Sequence, residues 1–268
     1  MSALLEVDGV SKTFVAHADR WRRGGRRISA VDQVSLTIAP GERLGLVGES
    51  GSGKSTLARM LVGLLSPDAG VIRFKGDALR AGAAWPRDMR RRVQMIFQDP
   101  TGSLNPRMTV EELVSEPFVI HRLVERAQRR SRVEALLRLV QLPAGYRRRL
   151  PRELSGGERQ RVGIARAMAT EPELLICDEP IASLDVSVGA KILELLRQLS
   201  QAHHAALLFI SHDVRAVAAL CERIAVMSEG RLVEVGPTQD LLANPRQRYT
   251  DVLIQAADLD LDAAAILP

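Results

Sequence analysis

Residues 48–56 read GESGSGKST, which fits G-x-x-x-x-G-K-[ST], the pattern of a loop that wraps phosphates between a strand and a helix. Gly48, Gly51 and Gly53 free the backbone for turn conformations barred to other residues, so that N–H groups can approach phosphate oxygens. Glu49, Ser50, Ser52 and Thr56 complete the loop. Lys54 has the reach for β- and γ-phosphates, and Ser55 has a hydroxyl suited to Mg²⁺. The loop alone does not choose between kinase, GTPase and ATPase. That choice needs a carboxylate for the metal and a group that positions an attacking water. LLICDEP, over 174–180, ends an apolar run in Asp178 and Glu179. Neighbours on a strand point to opposite sides. The expected division therefore puts Asp178 on Mg²⁺ through water and Glu179 on the nucleophilic water.

Two single residues complete the set. Gln98 ends the apolar run VQMIF and could sense the γ-phosphate and metal; His212 follows LLFIS and could hydrogen-bond the γ-phosphate. Alone, each is an ordinary polar residue at a strand end. Their position raises them, because ligands of open α/β sheets gather at the carboxyl ends of strands.

RELSGGERQRVGIARAM, over 152–168, carries a second glycine pair. Ser155 and Glu158 form S-x-x-E, a capping box for the helix that follows. Gly156 and Gly157 are poor helix formers, so they make sense where the backbone must lie against something. A helix start with bare N–H groups and a serine hydroxyl is an anion site. The segment reads as capping box and phosphate site together.

The elements that must hold these residues alternate. LLEVDGV (4–10) and VDQVSLTI (31–38) read as strands, with the Arg/Gly-rich stretch 17–27 between them as a surface loop. RLGLVG (43–48) is a short buried strand leading through the phosphate loop into a helix over 55–65. VIRF (71–74) and VQMIF (93–97) are further strands. From about 105 to 155 apolar residues recur at helical spacing, which predicts an inserted helical subdomain. Beyond 170, strands at 173–179, 205–211, 223–227 and 231–236 alternate with helices at 186–202 and 214–221. Such alternation predicts an α/β fold with a parallel sheet covered on both faces. The tail, from 257 to 268, is acidic then apolar and reads as loosely ordered.

The 268 residues are 46% hydrophobic but only 3% aromatic, so the core must be built mainly from Leu, Val, Ile and Ala. Arginine supplies nearly all of the positive charge behind the formal +5, in runs such as 20–27, 87–92 and 146–149. Runs of this kind suit nucleic acid, anionic lipid or an acidic partner. No aromatics interleave for base stacking, so they read as a solvated face with no nucleic-acid partner. Cys177 and Cys221 make no metal or redox spacing and suit a reduced cytosolic chain. The first residues lack the basic-then-apolar order of a signal peptide. No apolar run approaches the ~20 residues that span a bilayer, so membrane work would need a partner.

In order and spacing, GESGSGKST, Gln98 in FQDP, LSGGERQR, LLICDEP, ASLD (182–185) and His212 in ISHD resemble an ABC-transporter nucleotide-binding domain, over residues 4 to about 256. The resemblance implies a mixed β-sheet P-loop core with an N-terminal antiparallel β portion, and ATP with Mg²⁺ as its ligands. It implies head-to-tail pairing, with Ser155, Gly156 and Gly157 on the partner's γ-phosphate and Asp185 at the dimer seam. Phe14, in SKTF, fits the aromatic that stacks on adenine, where Tyr is commoner. Gln98 and the helical insert would face two membrane permeases and, through them, a solute-binding protein, at the cytoplasmic face of the inner membrane.

Several phrases, among them QMIFQDPTGSLNPRMTV and SLDVSV, look like the peptide/nickel importer group. That group commonly pairs two ATPase chains, so homodimer and heterodimer both stay open. Here RQRYT stands where the group usually reads HPYT, Glu158 where Gln is common, Ser52 where Cys is common, and ASLD where SALD is usual. No iron–sulfur cluster is expected. A DNA-associated ABC ATPase is the alternative, but such chains carry long heptad arms between the two motifs, and about a hundred residues separate Lys54 from Ser155 here. A small-molecule kinase would leave LSGG and His212 unused.

Overall fold

The computed structural model describes residues 3–16, 26–79, 85–98 and 100–257. In chain order the strands are β1 (Leu5–Ala16), β2 (Arg26–Ile38), β3 (Arg43–Val47), β4 (Ala69–Phe74), β5 (Asp77–Leu79), β6 (Val93–Ile96), β7 (Leu174–Asp178), β8 (Ala206–Ile210), β9 (Arg223–Ser228) and β10 (Arg231–Pro237). The helices are α1 (Lys54–Leu61), α2 (Arg87–Arg92), α3 (Pro100–Ser103), α4 (Val110–His121), α5 (Arg126–Leu139), α6 (Gly156–Met168), α7 (Val186–His203), α8 (Val214–Leu220), α9 (Thr238–Ala243) and α10 (Arg248–Ala256). Two 3-10 turns lie at Ala144–Arg148 and Pro151–Glu153. The chain divides into two compact units, one running up to Trp85 and from Leu208 onward, the other Pro86–Leu207.

In the first unit an antiparallel sheet has the order β2-β1-β4-β5. Its first two strands run further than the alternation at 4–10 and 31–38 predicts. Thr13, Phe14 and Val15 pair with Ser29, Ile28 and Arg27, past register shifts between Val7 and Thr13. Each strand's extension is fixed by its partner, which local composition does not display. Arg26 and Arg27, expected in the loop, are thus strand; residues 17–25 of that loop, like 258–268 of the tail, lie outside the described residues.

The unit's other strands take the order β10-β9-β3-β8. β9 runs parallel to β3, with Leu44 opposite Arg223 and Val47 opposite Val226, and antiparallel to β10. Leu44, Leu46, Phe209, Ile224 and Val226 are fully buried. α8 lies so close to β3 that a Cβ at Gly45 would sit 2.1 Å from Val217 Cγ1. α1 stops at Leu61, short of the predicted 65. Gly63 takes φ +73 there, and a side chain on it would run into Trp85.

The second unit places β6 parallel to β7, Val93 opposite Leu174 and Ile96 opposite Cys177. The stretch about 105–155 holds α4, α5 and both 3-10 turns. α4 opens on a capping box between Thr109 and Glu112. It packs on α5 and α6, and Leu113, Val114 and Phe118 of α4 are buried. Parts of the arginine runs at 87–92 and 146–149 are engaged with partners in the chain. Arg92 bonds Glu173 at 2.5 Å, Arg147 bonds Glu111 at 2.6 Å, and Arg149 lies 3.7 Å over the Tyr146 ring. No described helix is long and apolar enough to cross a membrane.

Candidate nucleotide site

In the first unit, β3 delivers the chain into Gly48 at φ +150, the loop turns through Gly51 at φ +83, and Gly53 at φ +105 leads into α1. Each of these angles lies where a side chain is strained. Two of the three glycines are also demanded from behind. A Cβ on Gly48 would lie 2.0 Å from the Met227 carbonyl oxygen, and one on Gly53 would lie 2.1 Å from that of Ala30. Gly51, at the exposed tip beside Glu49 and Ser50, meets nothing within 4 Å. The loop is thus seated on β9 and β2 and open in front.

Lys54 and Ser52 are buried, at 6% exposure each. The Lys54 ammonium donates to the carbonyls of Gly48 and Glu49, both at 2.7 Å, and to Ser52 Oγ at 3.3 Å. A buried cation held by backbone dipoles at the start of a helix suits a polyanion. Ser55 and Thr56, half-buried, occupy the first turn of α1.

One contact escaped sequence reasoning. The Glu49 N–H donates to the Tyr249 hydroxyl at 3.1 Å, across 200 positions of chain. No local pattern around Tyr249 announces it; only the departure at RQRYT drew notice to that segment.

His212, exposed, follows β8 between two anchored neighbours. The N–H of buried Ser211 donates to the Leu46 carbonyl at 3.2 Å, and Asp213 caps α8 by accepting the Arg215 and Ala216 N–H groups. Phe14 stands on β1 opposite Ile28, with 41% and 49% of their surfaces exposed. The first unit therefore carries Phe14, Gly48–Thr56 and His212.

The second unit carries the rest. Asp178 closes β7 at 4% exposure. Glu179 does not continue the strand: it takes φ +48, at 8% exposure. Strand alternation therefore does not set where its carboxylate points, and the division of tasks expected from that alternation loses its geometric basis. Left-handed backbone on a non-glycine residue costs about 1–2 kcal/mol and is retained where the surrounding structure imposes it. Gln98 lies exposed two residues past β6.

Ser155 is the N-cap of α6, as predicted: its Oγ accepts the Glu158 N–H at 3.3 Å while the Glu158 carboxylate accepts the Ser155 N–H at 2.7 Å. That N–H, against the opposing pull of burial, holds the Glu158 carboxyl below the usual carboxylate range, with help from the Tyr146 hydroxyl at 2.9 Å. Gly156 and Gly157 do lie against something, and it is their own chain. A Cβ on Gly157 would sit 2.5 Å from Val188 Cγ1, and one on Gly156 would sit 3.3 Å from Leu184 Cδ2.

The stretch around Asp185 is thereby brought beside Ser155–Gly157. Asp185 is itself the N-cap of α7, accepting the Val188 N–H at 2.9 Å and the Ser187 hydroxyl at 3.0 Å. Those bonds keep its carboxyl below the ordinary range. This capping role was not read from the sequence, although D-x-x at a helix start would have supported it. Val186, next in the chain, is 91% exposed.

Known proteins resemble this chain over most of its length. A peptide import ATP-binding protein of Brucella abortus (strain 2308) is 50% identical over 236 residues, covering 87% of this chain and 71% of its own length. A peptide ABC transporter ATP-binding protein of Sinorhizobium fredii (strain NBRC 101917 / NGR234) is 44% identical over 268 residues, covering 99% of this chain and 75% of its own. Among solved structures, the dimeric post-hydrolysis state of the ATP-binding cassette MJ0796, bound to ADP and Pi, matches with a TM-score of 0.75. Its identity is 29%, over 87% of this chain and 98% of its own. CbiO1 from Clostridium perfringens, part of the ABC transporter complex cbiONQ, matches with a TM-score of 0.76 at 26% identity, over 97% and 96%. The family model for ABC transporters matches residues 31–182, and with the phosphate loop, the capped SGGE helix and the Asp178–Glu179 corner in place, the chain belongs to the ABC transporter family.

Proposed function

We propose that this chain is the ATP-hydrolysing subunit that energises a membrane importer of peptides. The observation that carries the reading is the phosphate loop, seated from behind on two backbone carbonyls, open at Gly51, with buried Lys54 at its helix start. Such a cradle fits a triphosphate. The two relatives above are named for peptides, which favours peptide over nickel chelate as cargo.

Lys54 and the loop N–H groups bind the β- and γ-phosphates, and Phe14 offers its exposed face to adenine. Ser55, Gln98 and Asp178 each carry an oxygen donor of the kind a hard divalent cation takes, and Mg²⁺ would neutralise charge on the phosphates. Glu179 orients the attacking water and accepts its proton, and His212 donates to the γ-phosphate. Ser155, Gly156, Gly157 and Asp185 serve a partner cassette's nucleotide, a role supported by the exposure of Val186 and by the dimeric cassette matched above. The exposed Val119 and Ile120 of α4 suit docking to a permease pair, served in turn by a solute-binding protein, at the cytoplasmic face of the inner membrane.

The test is Glu179→Gln. The amide keeps the shape and loses the base, so turnover falls at least ~100-fold, while ATP binding survives and an ATP-bound dimer accumulates on size-exclusion chromatography. Unchanged turnover sinks the assignment of Glu179.

A further inference from the structure

We propose that Tyr249 is a positioning residue of the phosphate loop, through which the C-terminal segment sets how readily the loop receives a nucleotide. The inference rests on Gly48–Thr56 being the nucleotide loop. It begins from the Glu49 backbone, which is bonded through both its N–H and its carbonyl. Its N–H donates to the Tyr249 hydroxyl at 3.1 Å. Its carbonyl accepts the Lys54 ammonium at 2.7 Å and the Ser52 N–H at 3.2 Å. Whatever fixes Glu49 therefore fixes one of the two carbonyls on which Lys54 rests.

Gly48 and Gly53 are held by packing beneath the loop, whereas Glu49 to Gly51 are exposed and a Cβ on Gly51 would meet nothing within 4 Å.

Tyr249 is itself held from both directions. Before it, the N–H groups of Arg246 and Gln247 donate to the two carboxylate oxygens of Glu234 on β10, at 2.9 and 3.1 Å. After it, Thr250 is fully buried and Ile254 nearly so. The hydroxyl is thus delivered to the loop by a segment clamped on a strand and seated in the core. Ordering an exposed loop carries an entropy cost. A loop ordered in the free protein spares the arriving triphosphate that cost.

The experiment uses the full chain and Tyr249→Phe, which keeps the ring and removes the acceptor. Loss of one neutral hydrogen bond predicts a KM for ATP raised about three- to tenfold, with kcat changed less than about twofold because no reacting group is touched. The ATP-induced rise in melting temperature shrinks, while the melting temperature without nucleotide stays put. Glu234→Ala, which frees Arg246 and Gln247 but leaves Tyr249 intact, raises the KM for ATP in the same direction. A KM in Tyr249→Phe equal to that of the wild type overturns the proposal, with or without a fall in melting temperature. A wild-type chain that neither binds nor hydrolyses ATP would instead remove the nucleotide reading on which the proposal stands.

Discussion

Replacing Gly157 with alanine asks whether the second glycine of SGGE is demanded by the chain's own packing. The added Cβ would lie 2.5 Å from Val188 Cγ1, about 1.0–1.5 Å inside the ~3.5–4.0 Å of an ordinary carbon contact. Val188 has little freedom to move aside: it is β-branched within a helix, with a strongly preferred χ1, and its N–H is held by Asp185. It is only half-buried, which keeps the overpacking penalty toward the lower part of the usual ~1–3 kcal/mol. Against this, alanine gains at most ~1 kcal/mol over glycine in a helix. Gly157→Ala alone should destabilise by about 1 kcal/mol. Val188→Ala alone should cost about 0.5–1.5 kcal/mol from lost burial. In the Val188→Ala background the clash is gone and the helix gain remains, so adding Gly157→Ala should stabilise by up to ~1 kcal/mol. The urea-unfolding cycle then closes with a coupling of about 1–2 kcal/mol. Additive single effects would refute the packing argument. If the double variant regains stability but not ATP turnover, Gly157 is needed by nucleotide as well as by Val188.

Two further outcomes follow from other parts of the structure. Gly63→Ala meets both a left-handed backbone (φ +73) and the Trp85 ring, with its Cβ 1.9 Å from Cδ1. It should destabilise by about 2–4 kcal/mol, and a urea midpoint equal to wild type would contradict it. Glu158→Gln retains a capping box but loses the charged acceptor, costing about 0.5–1 kcal/mol at pH 7. Because the Ser155 N–H holds the native carboxyl low, its contribution is full above the ordinary carboxylate range near pH ~4.3. It is lost as pH falls below that range. The stabilities of the two proteins should converge in acid, and a gap constant down to pH 3 would refute the assignment.

What the sequence disclosed about the fold was what periodicity encodes. The short apolar runs within ELLICDE and AALLFIS are buried strands at almost the predicted positions, because runs of that length bounded by turn signals suit a strand covered on both faces. The extension of β1 to Ala16 and of β2 back to Arg26 was hidden: those residues are strand because each pairs with the other, and Thr13, Phe14 and Val15 form no alternation that a single segment reveals. α1 ended early for a similar reason, since the Trp85 that meets Gly63 lies 22 positions on.

The site was legible where spacing is enforced by chemistry on one short segment, as in the Lys54 loop and the Ser155 cap. It was opaque where partners are distant, as with Tyr249 on Glu49 or Val188 on Gly157. The glycines link the two cases. Sequence reasoning assigned them to phosphate, so that N–H groups could come close to an anion. The structure adds that Gly48, Gly53 and Gly157 each have their missing Cβ directed at the chain itself, at Met227, Ala30 and Val188. These are two sides of one requirement. A helix start can turn its N–H groups outward to an anion only if the opposite side of its backbone is seated, and a close seat leaves no room for a Cβ. Gly51, where an added Cβ meets nothing, is the exception that separates the causes: its glycine answers to φ +83 and to the ligand side alone.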